Sequence, residues 1–176
     1  MGVHLVVDGY NMIRRSPVLR REDETALELA RDSLVERLRR YKTIRPSRIT
    51  VVFDGASKAG SGRGQSQEKG IRVIFSGQGE TADTAIKRMC TQEGKNLTVV
   101  TSDRALARAV SSAGAIAIDV EEFGARLEMA FSLEAKGADG EKDRDTGGRA
   151  LGTLKKGPSK RPSKSERRRQ QRLRKV

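Results

Sequence analysis

Short apolar runs, each followed at once or within eight residues by an aspartate, recur along the first hundred residues. The runs cover residues 4–7, 49–53, 71–75 and 97–100, and the aspartates that follow them are Asp8, Asp54, Asp83 and Asp103. Continuous apolar runs of this length are typical of parallel strands buried on both faces. Because the carboxyl ends of parallel strands lie at one edge of a sheet, the pattern predicts that the four carboxylates gather there.

The segments between these runs are predominantly helical in pattern. An amphipathic helix is predicted from Asp23 to near Arg45, because apolar residues recur at positions 27, 30, 34, 38 and 41. Further helices are predicted at about 82–93, 104–112 and 121–131, with a short strand at 115–118. Residues 9–11 are predicted to form a turn, 14–24 a polar segment and 55–70 a polar surface loop. This alternation predicts an α/β fold with a mostly parallel sheet flanked by helices.

Charge divides the chain into a nearly balanced part and a strongly basic part. Residues 155–176 contain eleven Lys or Arg and one acid, so they carry +10 of the formal net charge of +13. From about Glu134 onward the sequence is rich in Gly, Lys, Asp and Pro and has no periodicity, which is typical of disorder. We therefore predict one domain at 1–133, large enough for a single core, and a disordered, strongly basic tail at 134–176.

The single cysteine and the single histidine limit the chemistry available. Cys90 has no partner for an internal disulfide, which favours a reducing compartment, the cytoplasm. It shares a helix face with Ile86 and Met89 and is predicted to be a core thiol. His4 lies inside the first strand, where a structural role is expected. No Ser-His-Asp or Cys-His catalytic pattern, signal peptide, membrane span or organic-cofactor fingerprint is recognised.

A cluster of carboxylates at one sheet edge calls for a counter-ion. Two bare carboxylates about 5 Å apart repel by roughly 3 kcal/mol at an effective dielectric of ~20. A hard divalent cation with oxygen ligands relieves this repulsion, so Mg²⁺ or Mn²⁺ is the expected cofactor.

Each acid also has a purely structural explanation. Asp8 and Asp54 precede glycines and would suit turns. Glu80 and Asp83 lie where a helix is predicted to start, so they would stabilise its dipole. Asp103 would suit an N-cap. The coincidence of four such acids at four strand ends of one sheet is what favours a functional cluster.

Four motifs together resemble a known family. Val7-Asp8-Gly9-Tyr10-Asn11, Val52-Phe53-Asp54-Gly55, Gly79-Glu80-Thr81-Ala82-Asp83 and Thr101-Ser102-Asp103 resemble, in order and spacing, the YacP-like branch of the NYN-domain ribonucleases, within the PIN-like nuclease superfamily. The resemblance spans about residues 3–131. It implies a Rossmann-like sheet with helices on both faces, an acidic metal site and endoribonuclease activity.

The resemblance also implies roles for individual residues. Asp8, Asp83 and Asp103 would be the core metal-binding and catalytic acids, with Asn11 positioning a ligand or water. Ser102 would support the site, and Glu80 and Asp54 would be auxiliary metal-binding acids. Where the family often has a further acid after the Ala-Asp pair, this chain has Thr84. That departure argues against a fully populated two-metal centre.

Basic residues indicate the partner. RNA, either mRNA or rRNA, and the ribosome are the expected partners, and no membrane is expected because the tail lacks an apolar face. The predicted RNA contacts are Lys58, Arg63 and Lys69 beside the acids, and Lys164, Arg167, Arg168, Arg169 and Arg172 in the tail. Simple solubility is the alternative role for both groups.

Three functions fit these features to different degrees. A metal-dependent endoribonuclease fits all of them. An RNA- or ribosome-binding factor that keeps the fold but has little catalysis is the alternative, and Thr84 is its main support. A metal-dependent phosphatase on a similar sheet lacks a clear nucleophile and acid pair.

Overall fold

The computed structural model describes residues 3–23, 26–55, 64–77 and 79–139, together with 167, 170 and 171. The strands are β1 (His4–Asp8), β2 (Arg48–Phe53), β3 (Gly64–Glu68), β4 (Ile71–Phe75), β5 (Leu97–Val100) and β6 (Ile116–Ile118). The helices are α1 (Gly9–Arg15), α2 (Pro17–Asp23), α3 (Leu27–Ile44), α4 (Ala82–Glu93), α5 (Arg104–Ser112) and α6 (Val120–Asp139), and a 3-10 turn spans Gly94–Asn96. The alternation of strands and helices confirms the predicted α/β class.

The six strands form one sheet in the order β3-β4-β2-β1-β5-β6. All neighbours pair in parallel except β3, which is antiparallel to β4 at the edge. The chain leaves β1 toward β2 and β4 and then returns to β5 on the other side of β1. The strand order therefore reverses between β1 and β5, and ligands of such sheets bind at the carboxyl edge of this point.

Helices cover both faces of the sheet. On one face Leu5 and Val7 of β1 pack with residues of α1, α3 and α6, among them Leu34 and Phe123. On the other face Val6 packs with residues of α4 and α5. This two-sided burial explains why the strand sequences are continuously apolar rather than alternating. No helix in the described part of the chain is long and apolar enough to cross a membrane.

The prediction of a turn at 9–11 and a polar segment at 14–24 is wrong over the described residues, because residues 9–15 and 17–23 form helices α1 and α2. Each helix is only seven residues long and buries few apolar residues, such as Met12, Ile13 and Leu19, so no helical period is visible. Ser16 separates them in an extended conformation (ψ 119°), as expected before Pro17. Helix α3 accordingly begins at Leu27 and not at Asp23, which is the last residue of α2.

The polar loop predicted at 55–70 is also partly wrong, because residues 64–68 form the edge strand β3. Its residues are mostly exposed, so pairing with β4 alone fixes the strand and no apolar alternation announces it. A two-residue turn joins β3 to β4, with φ of 50° at Lys69 and 80° at Gly70. Positive φ at both positions is the geometry of a type I′ hairpin turn.

Helix α6 continues to Asp139, beyond the end predicted near residue 131. Arg40 of α3 holds its later turns, because its guanidinium pairs with Glu134 (Nη2 to Oε2, 2.8 Å) and lies 4.3 Å from the centre of the Phe131 ring. The domain boundary predicted at residue 133 therefore falls inside a helix. Apart from residues 167, 170 and 171, the tail beyond Asp139 lies outside the described residues, so its predicted disorder stays a prediction.

Gly55 is required by close packing and not by a turn geometry. A Cβ atom built on it would lie 1.9 Å from the backbone oxygen of Ser76, whereas one on Gly124 in α6 would meet nothing within 4 Å. We predict that Gly55→Ala lowers the free energy of unfolding by about 1–3 kcal/mol through overpacking. Gly124→Ala, the matched control, should raise it by about 0.5–1 kcal/mol. Urea unfolding measures both, and equal effects would show that Ser76 moves aside freely.

Candidate functional site

Asp8 occupies the centre of the candidate site, at the end of β1. Its Oδ1 accepts a hydrogen bond from the backbone N–H of Asn11 at 3.4 Å, which makes Asp8 the N-cap of α1. Its Oδ2 accepts a hydrogen bond from the Thr101 hydroxyl at 3.1 Å. Burial raises the pKa of Asp8 to about 6, and the charges of Asp83 and Asp103 add to this, while the two hydrogen bonds oppose it. The carboxylate is therefore held in one place at an electrostatic cost.

The segment after β5 is tied to Asp8 through Thr101. The Thr101 hydroxyl donates to Asp8 and accepts from the backbone N–H of Asp103 at 3.1 Å. Asp103 in turn caps α5, since its Oδ1 accepts from the Leu106 amide at 2.8 Å. The structural and electrostatic roles therefore coincide: both Asp8 and Asp103 cap helices and both contribute charge to the same sheet edge.

Asn11 and Ser102 join the two strand exits. The backbone N–H of Ser102 donates to the Asn11 side-chain oxygen at 3.1 Å. The Ser102 hydroxyl accepts from the backbone N–H of Val120 at 3.3 Å, which attaches the start of α6. Asn11 thus orients the loop that carries Asp103, and Ser102 supports that loop from the other side.

Asp83 approaches the cluster from the first turn of α4 and remains partly exposed. Burial raises its pKa, Asp103 and Asp54 raise it further, and Lys87 one turn along the helix lowers it. Asp54 itself accepts a hydrogen bond from the Ser76 hydroxyl at 3.1 Å. Asp8, Asp83 and Asp103 therefore interact electrostatically with one another, and Asp54 is linked to this group through Asp83.

Glu80 and Thr84 point to different partners. Glu80 forms an ion pair with Arg88 on the next turns of α4, and its other oxygen accepts from the Gly77 amide at 3.5 Å. The Thr84 hydroxyl is exposed and lies 3.0 Å from the Thr81 hydroxyl that caps α4.

The oxygen donors suit a hard cation. Burial is the main cause of the raised pKa values of Asp8 and Asp83, and the neighbouring carboxylates raise them further. Within the described residues, however, no three acidic, His or Cys side chains converge into a group that could hold a metal ion. Asp8 and Asp103 each direct one oxygen at a backbone amide of a helix. The residues fit a cation in their chemistry, and few of the described side chains converge to bind it.

The predicted RNA contacts are only partly described. Lys69 lies at the turn before β4, at the opposite edge of the sheet from the acids, and pairs with Glu36 at 2.8 Å. Its predicted position beside the acids is therefore wrong, because β3 carries the chain away from them. Arg167 is exposed. The other predicted contacts, Lys58, Arg63, Lys164, Arg168, Arg169 and Arg172, lie outside the described residues.

The structural residues His4 and Cys90 are where the sequence predicted. His4 is buried in β1, with Nδ1 2.6 Å from a Glu93 carboxylate oxygen and Nε2 2.9 Å from the Thr50 hydroxyl. Cys90 is buried in the core under α4, and burial raises the pKa of its thiol to about 11. Neither lies at the acidic edge.

Arg31 is a residue near this edge that the sequence interpretation missed. Its guanidinium is buried and packs over three aromatic rings, at 5.7 Å from Tyr10, 6.0 Å from Phe53 and 5.7 Å from Phe75. These rings belong to the segments that carry the acids, so Arg31 helps to fix the strand ends. A signal was present, because position 31 falls on the apolar stripe of α3, between 27 and 34.

Asp8→Asn should stabilise the protein at neutral pH. Because the folded-state pKa of Asp8 is raised to about 6, the folded state binds more protons than the unfolded state between about pH 4 and 6, so stability falls as pH rises through that window. Removing the charge should add about 1–3 kcal/mol at pH 7.5 and little below pH 4.

Urea unfolding at several pH values measures the gain. Asp32→Asn, the same change at an exposed position of α3, should leave the stability within ±0.5 kcal/mol at every pH. A gain in Asp8→Asn that does not depend on pH would contradict the electrostatic explanation.

Comparisons with known proteins agree with this geometry. The model of the YacP-like NYN domain family matches residues 5–171. The uncharacterized protein YacP of Bacillus subtilis (strain 168) is 32% identical over 127 residues, covering 70% of this chain and 74% of YacP. The crystal structure of Rae1 (YacP) from Bacillus subtilis is similar with a TM-score of 0.64 and 29% identity, covering 79% of this chain and 80% of that chain. A tryptophan-to-leucine mutant of Rae1 gives a TM-score of 0.64 and 27% identity, covering 80% and 85%. The chain therefore belongs to the YacP-like NYN domain family, whose fold is consistent with that of a nuclease.

Proposed function

We propose that this protein is a metal-dependent endoribonuclease that hydrolyses RNA phosphodiester bonds at the carboxyl edge of the sheet. The observation that carries the proposal is the state of Asp8: a buried carboxylate with a pKa raised to about 6, held at the point where the strand order reverses and within electrostatic reach of two further aspartates. A strongly shifted carboxyl at such a switch point favours a functional site over a structural one.

Asp8, Asp83 and Asp103 are the residues that would hold Mg²⁺ or Mn²⁺. When bound, such an ion supplies charge neutralisation at the attacked phosphate and lowers the pKa of a bound water. Mg²⁺ keeps several waters and is usually bound by one or two protein carboxylates plus substrate phosphate. A site with few converging carboxylates, as found here, is therefore compatible with this ion. Glu80, which pairs with Arg88, would be an auxiliary ligand.

The remaining residues hold the acids and approach the substrate. The backbone N–H of Asn11 and the Thr101 hydroxyl each hold one oxygen of Asp8. The carboxylate therefore does not need to reorganise when a cation or a substrate phosphate binds beside it. Lys87 is exposed one turn beyond Asp83 on α4, where its ammonium can contact a substrate phosphate. Ser102 keeps the loop of Asp103 attached to α6.

A second candidate is an RNA- or ribosome-binding factor with this fold and little catalysis. Two observations favour it: the family's further acid is replaced by Thr84, whose hydroxyl is engaged by Thr81, and no three acids converge among the described residues. The two candidates differ in one measurement, the metal-dependent cleavage of RNA by the purified protein.

Single Asp→Asn variants at positions 8, 83 and 103 should each lose RNA cleavage while remaining folded. Loss of a residue that merely orients a metal ligand costs about 10- to 100-fold, so we expect at least about a hundredfold loss for the acids themselves. The measurement is turnover of a labelled single-stranded RNA in saturating Mg²⁺ and in saturating Mn²⁺, with EDTA as the blank.

Asp32→Asn, the same change at an exposed position of α3, is the matched control in this series and should retain most of the activity. An aspartate variant with near-wild-type turnover in both metals would remove that residue from the site. A wild-type protein that binds RNA but cleaves it in neither metal would establish the second candidate.

The basic tail is proposed to bind RNA or the ribosome rather than to take part in the chemistry. Deletion of residues 140–176 leaves every described helix and strand of the domain intact and removes a net charge of +10. If the tail neutralises about six phosphates of a single strand, the slope of log affinity against log salt should become about four units less steep. Cleavage of a short RNA should stay nearly unchanged.

Affinity for long RNA and for ribosomes, measured against salt, tests the role of the tail. A full-length variant with the eleven basic residues of 155–176 replaced by Gln separates charge from length and should behave like the deletion. Equal slopes in the wild type and both variants would show that the tail stays solvated in the complex.

A further inference from the structure

A basic groove lies at the end of the sheet opposite the acids. It has a volume of about 560 Å³, and its charged lining residues are Lys42, Arg48 and Arg72. Amide side chains of β3, those of Gln65 and Gln67, line another wall. No carboxylate is among the described residues that line the groove. Such a lining suits an anion.

The groove is separate from the candidate catalytic edge. Arg48 is the first residue of β2, and Arg72 is the second residue of β4. The acids lie beyond the last residues of these parallel strands. Arg48 is five residues, roughly 16 Å, and Arg72 three residues, roughly 10 Å, from the carboxyl ends. A ligand in the groove therefore does not contact Asp8 or Asp54.

Neighbouring groups offset only part of the positive charge of Lys42, Arg48 and Arg72. Lys42 donates to the Gly70 carbonyl oxygen at 2.7 Å, and Arg72 donates to the Gln65 side-chain oxygen at 2.9 Å, so uncharged acceptors hold both in place. Arg48 pairs with Glu93 at 3.2 Å. Burial raises the pKa of Glu93, but His4, Arg48 and Arg72 together lower it below its usual value. One neighbouring carboxylate thus faces the fields of two guanidiniums, and the groove remains positive.

Strand β3 connects the groove to the acidic edge. It begins at Gly64, opposite the last residue of β4, and ends at Glu68, opposite the first. The side chains between these ends are Gln65, Ser66 and Gln67, which are exposed and both donate and accept hydrogen bonds. At a rise of about 3.3 Å per residue the strand is roughly 13 Å long, which matches about four nucleotides of a stacked strand at ~3.4 Å each.

We propose that the basic groove binds backbone phosphates of an RNA strand that passes along β3 from the acidic edge. The inference rests on the proposed function only in choosing RNA as the polyanion. Among the described residues of the lining, Ile49 is the one apolar side chain and none has an aromatic ring on which a base could stack. Sites for free nucleotides are mostly apolar, so the lining fits an extended chain of phosphates better than a single nucleotide.

Binding of a 12-nucleotide single-stranded RNA to the full-length protein in EDTA tests the proposal. The double variant Lys42→Gln/Arg72→Gln is compared with Arg21→Gln/Lys136→Gln, which removes the same charge from exposed positions of α2 and α6. The groove variant should bind about five- to tenfold more weakly at 150 mM salt, and its salt slope should fall by about 1.4 for two lost phosphate contacts. The control should keep the wild-type affinity and slope.

Three outcomes would overturn the proposal. Equal losses in the groove variant and the control would show that only net charge matters. Competition by uridine monophosphate or inorganic phosphate at the groove, with an unchanged salt slope for RNA binding, would assign the groove to a free phosphate or phosphate monoester. Competition by an oligoglutamate as strong as that by an RNA of equal charge would assign it to an acidic peptide.

Two features keep the test decisive. If Arg72→Gln unfolds the protein, the single variant Lys42→Glu replaces the double variant, with Lys136→Glu as its control. Lys42→Glu is expected to fold because Lys42 lies near the end of α3 and outside both hydrophobic cores. Since no turnover is measured, a protein without nuclease activity would still give a valid result. Failure of this inference is therefore distinguishable from failure of the proposed function.

Discussion

The buried carboxylate of Asp8 is the group around which the candidate site is built. One of its oxygens starts helix α1 and the other holds the Thr101 hydroxyl, which in turn holds the amide of Asp103. The exits of β1 and β5 are thereby locked together at the point where the strand order reverses. Burial of this charge is costly, as the raised pKa of Asp8 records. A charge kept in place against such a cost is a common property of functional sites, where local stability is exchanged for a prepared environment.

Close packing around the acids keeps the segments that carry them near one another. A Cβ atom on Gly9 would lie 2.3 Å from the Phe53 ring, and one on Gly55 would overlap the Ser76 backbone. The aromatic residues that precede Asp54 and Ser76 stack on each other and on Arg31. The Asp-Gly pairs are therefore explained by contact and not by a turn that requires positive φ. The glycines let α1 and the loop after β2 approach the sheet, which brings the acids of separate strands within electrostatic reach of one another.

The two ends of the sheet have opposite charge, and this polarity suits a long anionic ligand. Aspartates gather at the carboxyl edge, while Lys42, Arg48 and Arg72 surround the groove at the amino edge. The polar edge strand β3 runs between these two ends. Its exposed side chains can hydrogen-bond to a ligand, which the side chains of an apolar core strand cannot do. Under the proposed function, the cationic end would hold the RNA backbone and the anionic end, with its cation, would act on one phosphate.

The sequence by itself determined the α/β class, five of the six strands and the gathering of Asp8, Asp83 and Asp103 at one edge, because apolar strand runs and their terminal acids are local patterns. It did not reveal α1, α2 or β3, since short helices and polar edge strands have too few buried residues to leave a period. Only the tertiary structure decided that Arg88 forms an ion pair with Glu80 and that Lys69 lies far from the acids. It also decided that Arg31 packs on the aromatic rings next to the acids. Those facts depend on which elements become neighbours in space, and spacing along the chain does not encode that.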